Sequence, residues 1–326
     1  MSVVVVGEAE VFELLPMRDC IEAMEHMFAA LASCGAVQPP RIIAWQPGQA
    51  GAIATMPAWL GEPPWLGAKV ISVFPQNRTA GRESHQGFVV LFETQHGVPR
   101  AIIHAGAITA IRTAAVSAVA TRRLAGEDAH VLAILGSGVQ AGMHLAAMRE
   151  VRSIRSVRVW SRTPEHARAF AERFAESDLS IEACADPESA VRGADIICTV
   201  TAATSPVLLG RWLIAGQHVN AAGASVPPFR ELDTEAVVRS RVFVDSRESA
   251  LREPDDLLAP LREGRITQQH ILGELAELAS GAVRGRSAES EITLFKSVGL
   301  AIEDLAAGNL VYERALESGT GQVVHI

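Results

Sequence analysis

Residues 132–142, "LAILGSGVQAG", decide the fold. An apolar run meets Gly136, Ser137 and Gly138, and Val139, Gln140 and Ala141 then open a helical stretch, so the spacing is G-x-G-x-x-A between a strand and a helix. In that context the first glycine permits a tight turn, the second lets backbone approach a pyrophosphate, and the small Ala141 lets helix and strand pack closely. The helix N-terminus supplies donors for the phosphates. Outward from this point, from about residue 128, the chain alternates "HVLAILGSG", "VQAGMHLAAMREV", "RSVRVWSRT", "PEHARAFAERFA", "ADIICTVTA", "HVNAAGAS" and "RVFVDS". Apolar runs alternating with helices imply a Rossmann-type parallel sheet wrapped by right-handed crossovers.

The end of the second strand decides between dinucleotides. An acid there binds a ribose 2′-hydroxyl, whereas a cationic or hydroxyl-bearing pocket accepts a 2′-phosphate. The chain reads "VWSRTPEH", so Ser161, Arg162 and Thr163 favour NADP(H) over NAD. The competing reading makes Arg162 an ordinary solvated arginine.

Before residue 128 the pattern differs. "RDCIEAMEHMFAALASCG" is an amphipathic helix ended by Gly35, and "PPRIIAWQPG", "GAIATMPAWL", "GAKVISVFPQN" and "GFVVLFETQHGVPRAIIHAG" are short apolar runs punctuated by Gly, Pro and Asn. These predict a mixed or antiparallel sheet with a helix on it. "ITAIRTAAVSAVATRRLAG" is a long Ala-rich helix stopped at Gly126, and 291–316, "EITLFKSVGLAIEDLAAGNLVYERAL", reads as one helix returning to the first domain. The expected division is 1–122 with 303–326 as a mixed α+β substrate-binding domain, and 123–302 as the nucleotide-binding domain.

Composition narrows the function. With 326 residues, net charge −8, 5% aromatic residues and no basic block, neither the phosphate-neutralising patch nor the stacking platform of a nucleic-acid binder is present. The start, "MSVVVVGEAEVFELL", has no basic n-region, and no apolar run is long enough to cross a bilayer, which predicts a cytoplasmic protein with no membrane partner. Cys20, Cys34, Cys184 and Cys198 lack CxxC or Cys/His ligand spacing; they read as reduced core thiols, with no metal site.

Three cations stand out in the first domain. Lys69, in "WLGAKVISVF", shares a strand face with Ile71 and Val73; Arg112 shares a helix stripe with Ile108, Ala115, Val116 and Val119; Arg41 opens a strand after Pro39 and Pro40. Inward cations without obvious acidic neighbours suggest a pocket for an anion, most simply a carboxylate. The alternative is that they snorkel to water or pair with an acid such as Glu93 or Asp304.

These residues resemble the ornithine cyclodeaminase and mu-crystallin family over nearly the whole chain, through "RIIAW", "TMPAW", "GAKVISVFPQN", "ITAIRTAAVSAVAT", "ILGSGVQA", "GASVPPFREL", "VFVDSRESAL", "GEL" and "LFKSVGLAIED". The likeness is strongest to its ketimine-reductase branch. The resemblance implies a Rossmann domain joined to a dimer-forming substrate domain, with reaction at the cleft between them. It places Arg41, Lys69 and Arg112 on the substrate-binding and catalytic cations, and Met56 with Pro57 in the substrate-pocket strand. His85, in "ESHQG", falls on a polar loop close to the pocket. It puts Gly136 to Ala141 on the pyrophosphate loop, and Lys296, Ser297 and Gly299 on the nicotinamide side. Thr201, in "ADIICTVTA", is taken with the cofactor contacts. Ornithine cyclodeaminases carry an aspartate after "HVNAAGA", where this chain has Ser225. A serine cannot carry the charge that would pair with a substrate ammonium, which leaves hydride transfer intact and cyclodeamination in doubt.

The expectation is therefore an NAD(P)H-dependent reductase of small cyclic imino acids, using NADPH by preference. Lys69 would donate the proton, or orient the carboxylate or a water, and Ser225 would hydrogen-bond the ring nitrogen or a water. An NAD-dependent cyclodeaminase or alanine-dehydrogenase-type enzyme is the second reading. A non-catalytic NADP-dependent binding protein is the third.

Overall fold

The computed structural model describes residues 2–48, 51–74, 76–77 and 81–325; Pro75, within "GAKVISVFPQN", lies outside them. The chain forms two compact units, Met1–Arg112 with Leu300–Ile326, and Thr113–Gly299.

The first unit opens with β1 (Ser2–Val6), α1 (Glu8–Leu14) and α2 (Met17–Cys34). Strands β2 (Ala36–Val37), β3 (Ile42–Trp45), β4 (Ala52–Leu60), β5 (Trp65–Val73), β6 (His85–Glu93) and β7 (Pro99–His104) follow, and α3 (Ala105–Leu124) begins here. In β4 the residues from Ala52 to Leu60 alternate between fully buried and partly exposed, so one face of the sheet is covered and the other is not. Helix α2 ends where Gly35 turns to a φ of 71°. Cys34, its last residue, is exposed, so it is not the core thiol expected; Cys20, Cys184 and Cys198 are buried.

The second unit contains β8 (Val131–Leu135), α4 (Val139–Val151), β9 (Ser156–Trp160), α5 (Pro164–Arg173), β10 (Ser180–Ala183), α6 (Pro187–Val191), β11 (Ile196–Thr199), β12 (His218–Ala221), α7 (Thr234–Val238), β13 (Arg241–Val244), α8 (Arg247–Ala250), α9 (Asp255–Arg262), β14 (Ile271–Glu274), α10 (Leu275–Ala279) and β15 (Thr293–Lys296). Its sheet is all parallel, in the order β10-β9-β8-β11-β12-β15-β13-β14. The order reverses between β8 and β11, which opens a crevice at their C-terminal ends.

Residues 291–316 are not one helix. Thr293–Lys296 form β15, buried on both faces between β12 and β13, and the helix α11 (Ala301–Ser318) starts only after Gly299, whose φ is 80°. A strand buried on both sides reads as a continuous apolar run, which periodicity cannot separate from a buried helix. Helix α11 belongs to the first unit, where it packs on β4, β5, β6 and α2, and β16 (Gln322–His325) completes that sheet. The sheet runs β16-β1-β7-β6-β5-β4-β2, with β3 also on β4; the β1–β7 pair is parallel. Among the described residues no helix is long and apolar enough to cross a membrane.

Candidate active site

In the first unit Lys69 of β5 faces Met56 of β4 and Val89 of β6, on the face that α11 covers, and is 2% exposed. Its ammonium is not among apolar groups alone. Nζ lies 2.7 Å from Asp304 Oδ2 and donates to Thr109 Oγ1 at 3.4 Å. Arg112, on α3 and 3% exposed, donates from Nε to Asp304 Oδ1 at 2.9 Å and from Nη1 to Glu303 Oε2 at 2.6 Å. One carboxylate thus holds both cations. This corrects the expectation of inward cations without acidic neighbours: Glu303 and Asp304, both fully buried in the first turn of α11, are the neighbours. Glu93 is not one of them; its carboxylate accepts from the backbone of Gln95, His96 and Val98.

Burial pulls the Lys69 ammonium down to about 8; Asp304 opposes that pull, while the charges of Arg112 and Arg41 add to it. Such a group is an ammonium at neutral pH and gives up its proton readily, which suits it to general acid–base work. Arg41, half-buried ahead of β3, is close enough to act on Lys69. Met56 is buried on the Lys69 face, whereas Pro57, next along β4, is half-buried on the other. His85 shares the Lys69 face but is exposed at the start of β6, four residues from Val89, and hydrogen-bonds Ser84 Oγ at 3.0 Å.

In the second unit the glycine loop lies in the crevice at β8 and β11. Gly136 has a φ of 124°, and a Cβ there would stand 2.7 Å from the Val200 carbonyl oxygen, so only glycine lets the two strand-end loops approach. At Gly138, the N-cap of α4, a Cβ would meet nothing within 4 Å, and no side chain caps the helix. An open space before an uncapped helix N-terminus fits a dinucleotide pyrophosphate. Val139 is exposed, Gln140 is half-buried, and Ala141 is buried against the sheet. Ser137 Oγ donates to Ser161 Oγ at 3.0 Å, tying the loop to the end of β9; Arg162 beside it is exposed, and Thr163 is the N-cap of α5.

Two further acids arrange the neighbouring loops. Glu231, fully buried, accepts from Thr201 N (2.6 Å) and Thr201 Oγ1 (2.8 Å) on Oε1, and from Thr199 Oγ1 (2.9 Å), Gly223 N (2.8 Å) and Ala224 N (3.2 Å) on Oε2. It therefore joins the loops after β11 and β12. Asp256 accepts from the Glu231 and Leu232 amides on Oδ1 and pairs with Lys296 Nζ at 2.9 Å on Oδ2. Lys296 is fully buried, and its side chain links β15 to Asp256 inside the fold. Asp245 accepts from Ser246, Val298 and Gly299 amides and, at 3.4 Å, from Ser297 Oγ, fixing the turn at 297–299. Ser225 is half-buried in the loop after β12, one residue beyond Ala224. Glu231, Asp245, Asp256, Glu303 and Asp304 carry no local signature; their partners lie far away in sequence, and acids beside helix starts read as complements to the helix dipole.

Residues 1–319 match the ornithine cyclodeaminase/mu-crystallin family. The chain is 39% identical over 293 residues to the ketimine reductase mu-crystallin of Mus musculus, covering 90% of each. It is 42% identical over 261 residues to the Δ1-pyrroline-2-carboxylate reductase of Bacillus cereus, covering 79% of this chain and 80% of that one. The structure of Thermococcus litoralis Δ1-pyrroline-2-carboxylate reductase in complex with NADH and L-proline superposes with a TM-score of 0.95 at 38% identity, covering 99% of this chain and 100% of that chain.

Proposed function

The chain belongs to the ornithine cyclodeaminase/mu-crystallin family, and from that premise we propose that it is an NAD(P)H-dependent reductase of cyclic imino acids. Δ1-Pyrroline-2-carboxylate and Δ1-piperideine-2-carboxylate, giving proline and pipecolate, are its substrates. The observation that carries this reading is the Lys69–Asp304–Arg112–Glu303 cluster, which sets a buried ammonium beside a buried guanidinium on one shared carboxylate. A cyclic imino acid has one carboxylate for a guanidinium to hold and one ring nitrogen to protonate.

Arg41 and Arg112 hold the substrate carboxylate, with Arg112 kept in orientation by Glu303 and Asp304. Met56 lines the pocket and His85 stands at its edge. Lys69 donates the proton that makes the C=N nitrogen cationic, so that C2 accepts a hydride and the imine becomes a secondary amine. A reduced nicotinamide, when bound, supplies that hydride and is oxidised. Ser225 hydrogen-bonds the ring nitrogen or a water. Gly136 to Ala141 take the pyrophosphate, with Thr201 beside them and Ser297 and Gly299 on the nicotinamide side. Ser161, Arg162 and Thr163, with no acid among them, take a 2′-phosphate and give preference for NADPH.

The protein works as a homodimer in the cytoplasm. What supports the dimer is the uncovered face of the first unit's sheet, where Ile42, Ile53, Leu66 and Phe88 are exposed. Such an apolar patch suits a second copy of the chain.

Incubation of purified protein with each imino acid and NADPH or NADH, followed at the reduced-nicotinamide absorbance, tests the assignment. Turnover is expected with both rings and faster with NADPH. No turnover with either ring, alongside ammonia release from ornithine, sinks the reductase reading.

A further inference from the structure

Of the 29 Lys and Arg residues only Lys69 and Lys296 are lysines, leaving 27 arginines (29 − 2). Both lysines are buried, and each is bonded to an aspartate. Arginine serves every surface position, and lysine is kept where a compact ammonium meets a carboxylate inside the protein. For Lys69 the surroundings are unusual, because two arginines stand near it and an aspartate oxygen, Asp304 Oδ2, lies 2.7 Å from its ammonium.

We propose that Asp304 is a positioning residue for imine reduction: its carboxylate grips Lys69 Nζ through Oδ2 and Arg112 Nε through Oδ1, holding the proton donor charged and at a set spacing from the guanidinium. The inference rests on the reading of Lys69 as donor. Asp304 itself is fully buried and acts through its two partners. The groups around Lys69 are Asp304 from α11, Thr109 and Arg112 from α3, and Arg41 ahead of β3. Behind Arg112 stand Glu303 from α11 and the buried thiol of Cys20 from α2. Asp304 is the acid in direct contact with the ammonium. Without its charge, burial, Arg112 and Arg41 all act in one direction and drive the proton off Lys69.

The two-lysine composition makes the test direct. Protein labelled with [ε-13C]lysine gives two side-chain signals, and Lys69→Met identifies which one belongs to Lys69. In Asp304→Asn the Lys69 titration midpoint is expected to fall by at least about one pH unit, equivalent to about a tenfold loss of ammonium on the alkaline side. The alkaline limb of kcat/KM for imine reduction should move with it, while Glu303→Gln, whose Oε2 accepts from Arg112, chiefly raises KM. A Lys69 midpoint unchanged in Asp304→Asn overturns the proposal. A midpoint that moves while the kinetic limb stays in place overturns Lys69 as the donor instead, and removes Asp304 from the reaction. Should Asp304→Asn not fold, the wild-type protein decides: a through-hydrogen-bond coupling from the Lys69 ammonium nitrogen to an aspartate carboxyl carbon is expected, and a freely exchanging ammonium overturns the clamp.

Discussion

Replacing Glu231 by Gln removes a charge without changing shape, and its effect can be worked from five hydrogen bonds. Oε1 serves the Thr201 amide and hydroxyl; Oε2 serves the Thr199 hydroxyl and the amides of Gly223 and Ala224. A glutamine amide must put an N–H₂ on one side. Placing it on the Oε2 side sets it against two backbone donors, so it goes to the Oε1 side, where the Thr201 hydroxyl can rotate to accept but the Thr201 amide cannot. One orphaned buried N–H costs about 1–3 kcal/mol, and the remaining bonds lose their charge assistance. Burial pushes the Glu231 carboxyl above its ordinary range, Lys296 pulls it back and Asp256 pushes again, so relief of that buried charge returns part of the loss. The net is about 2–3 kcal/mol, which lowers the melting temperature by roughly 4–12 °C. The loops after β11 and β12 loosen beside the glycine loop, and if half of the loss falls on cofactor binding, NADPH affinity drops about 5–15-fold. Calorimetry and a titration of reduced-nicotinamide fluorescence measure both. A variant that melts with the wild type and binds NADPH within twofold refutes the idea that the Glu231 carboxylate shapes the cofactor loops.

Ser161→Asp places an acid at the end of β9 and is expected to weaken NADPH at least about tenfold while sparing or improving NADH, read from the two dissociation constants; equal losses for both would contradict the 2′-phosphate assignment. Imine reduction by the wild type should decline above about pH 8, where Lys69 loses its proton, and proline oxidation should rise over the same range. For stability the sign is set by a folded value of about 8, below the ordinary lysine value of 10.5, so the unfolded chain binds more protons between the two. The contribution of Lys69 therefore grows as pH rises through that window, by about 3 kcal/mol at full deprotonation, and denaturant midpoints should show the rise in the wild type but not in Lys69→Met. Ile53→Lys, on the uncovered sheet face, is expected to shift the protein toward monomer in analytical ultracentrifugation with the fold retained; an unchanged sedimentation profile counts against that face as the dimer contact.

Much of the second unit was legible because its signals are local. The strand, turn and helix of 132–142 stand side by side in the chain, and each later strand is an apolar run with a helix beside it. The inward phases of Lys69 and Arg112 were equally legible, since both follow from alternation within one strand and spacing within one helix. What pairs them was legible only as one of two candidate acids, Glu93 and Asp304, because Asp304 lies 235 positions from Lys69 (304 − 69) and 192 from Arg112 (304 − 112). A separation of 97 positions (101 − 4) likewise hid the parallel pairing of β1 with β7, although "VVVV" is an apolar run. The apolar run at 292–295 hid β15 for the opposite reason, that its burial on both faces erases any period.

The two lysine–aspartate pairs show why geometry alone does not make a catalytic group. Lys69 and Lys296 are both buried, and their ammonium groups lie at 2.7 Å and 2.9 Å from an aspartate oxygen. A buried ion pair seldom stabilises a fold over apolar residues of the same size, because desolvation consumes the attraction. Lys296 acts on Asp256, Glu231 and Asp245, so negative charge surrounds it and its ammonium serves as a tie between loops. Burial loosens the Lys69 proton first, Asp304 opposes it, and the charges of Arg112 and Arg41 add to the pull. The same pair of side chains thus ties two loops in one unit, and in the other it leaves an ammonium that burial has pulled down to about 8, the value the proposed proton transfer needs.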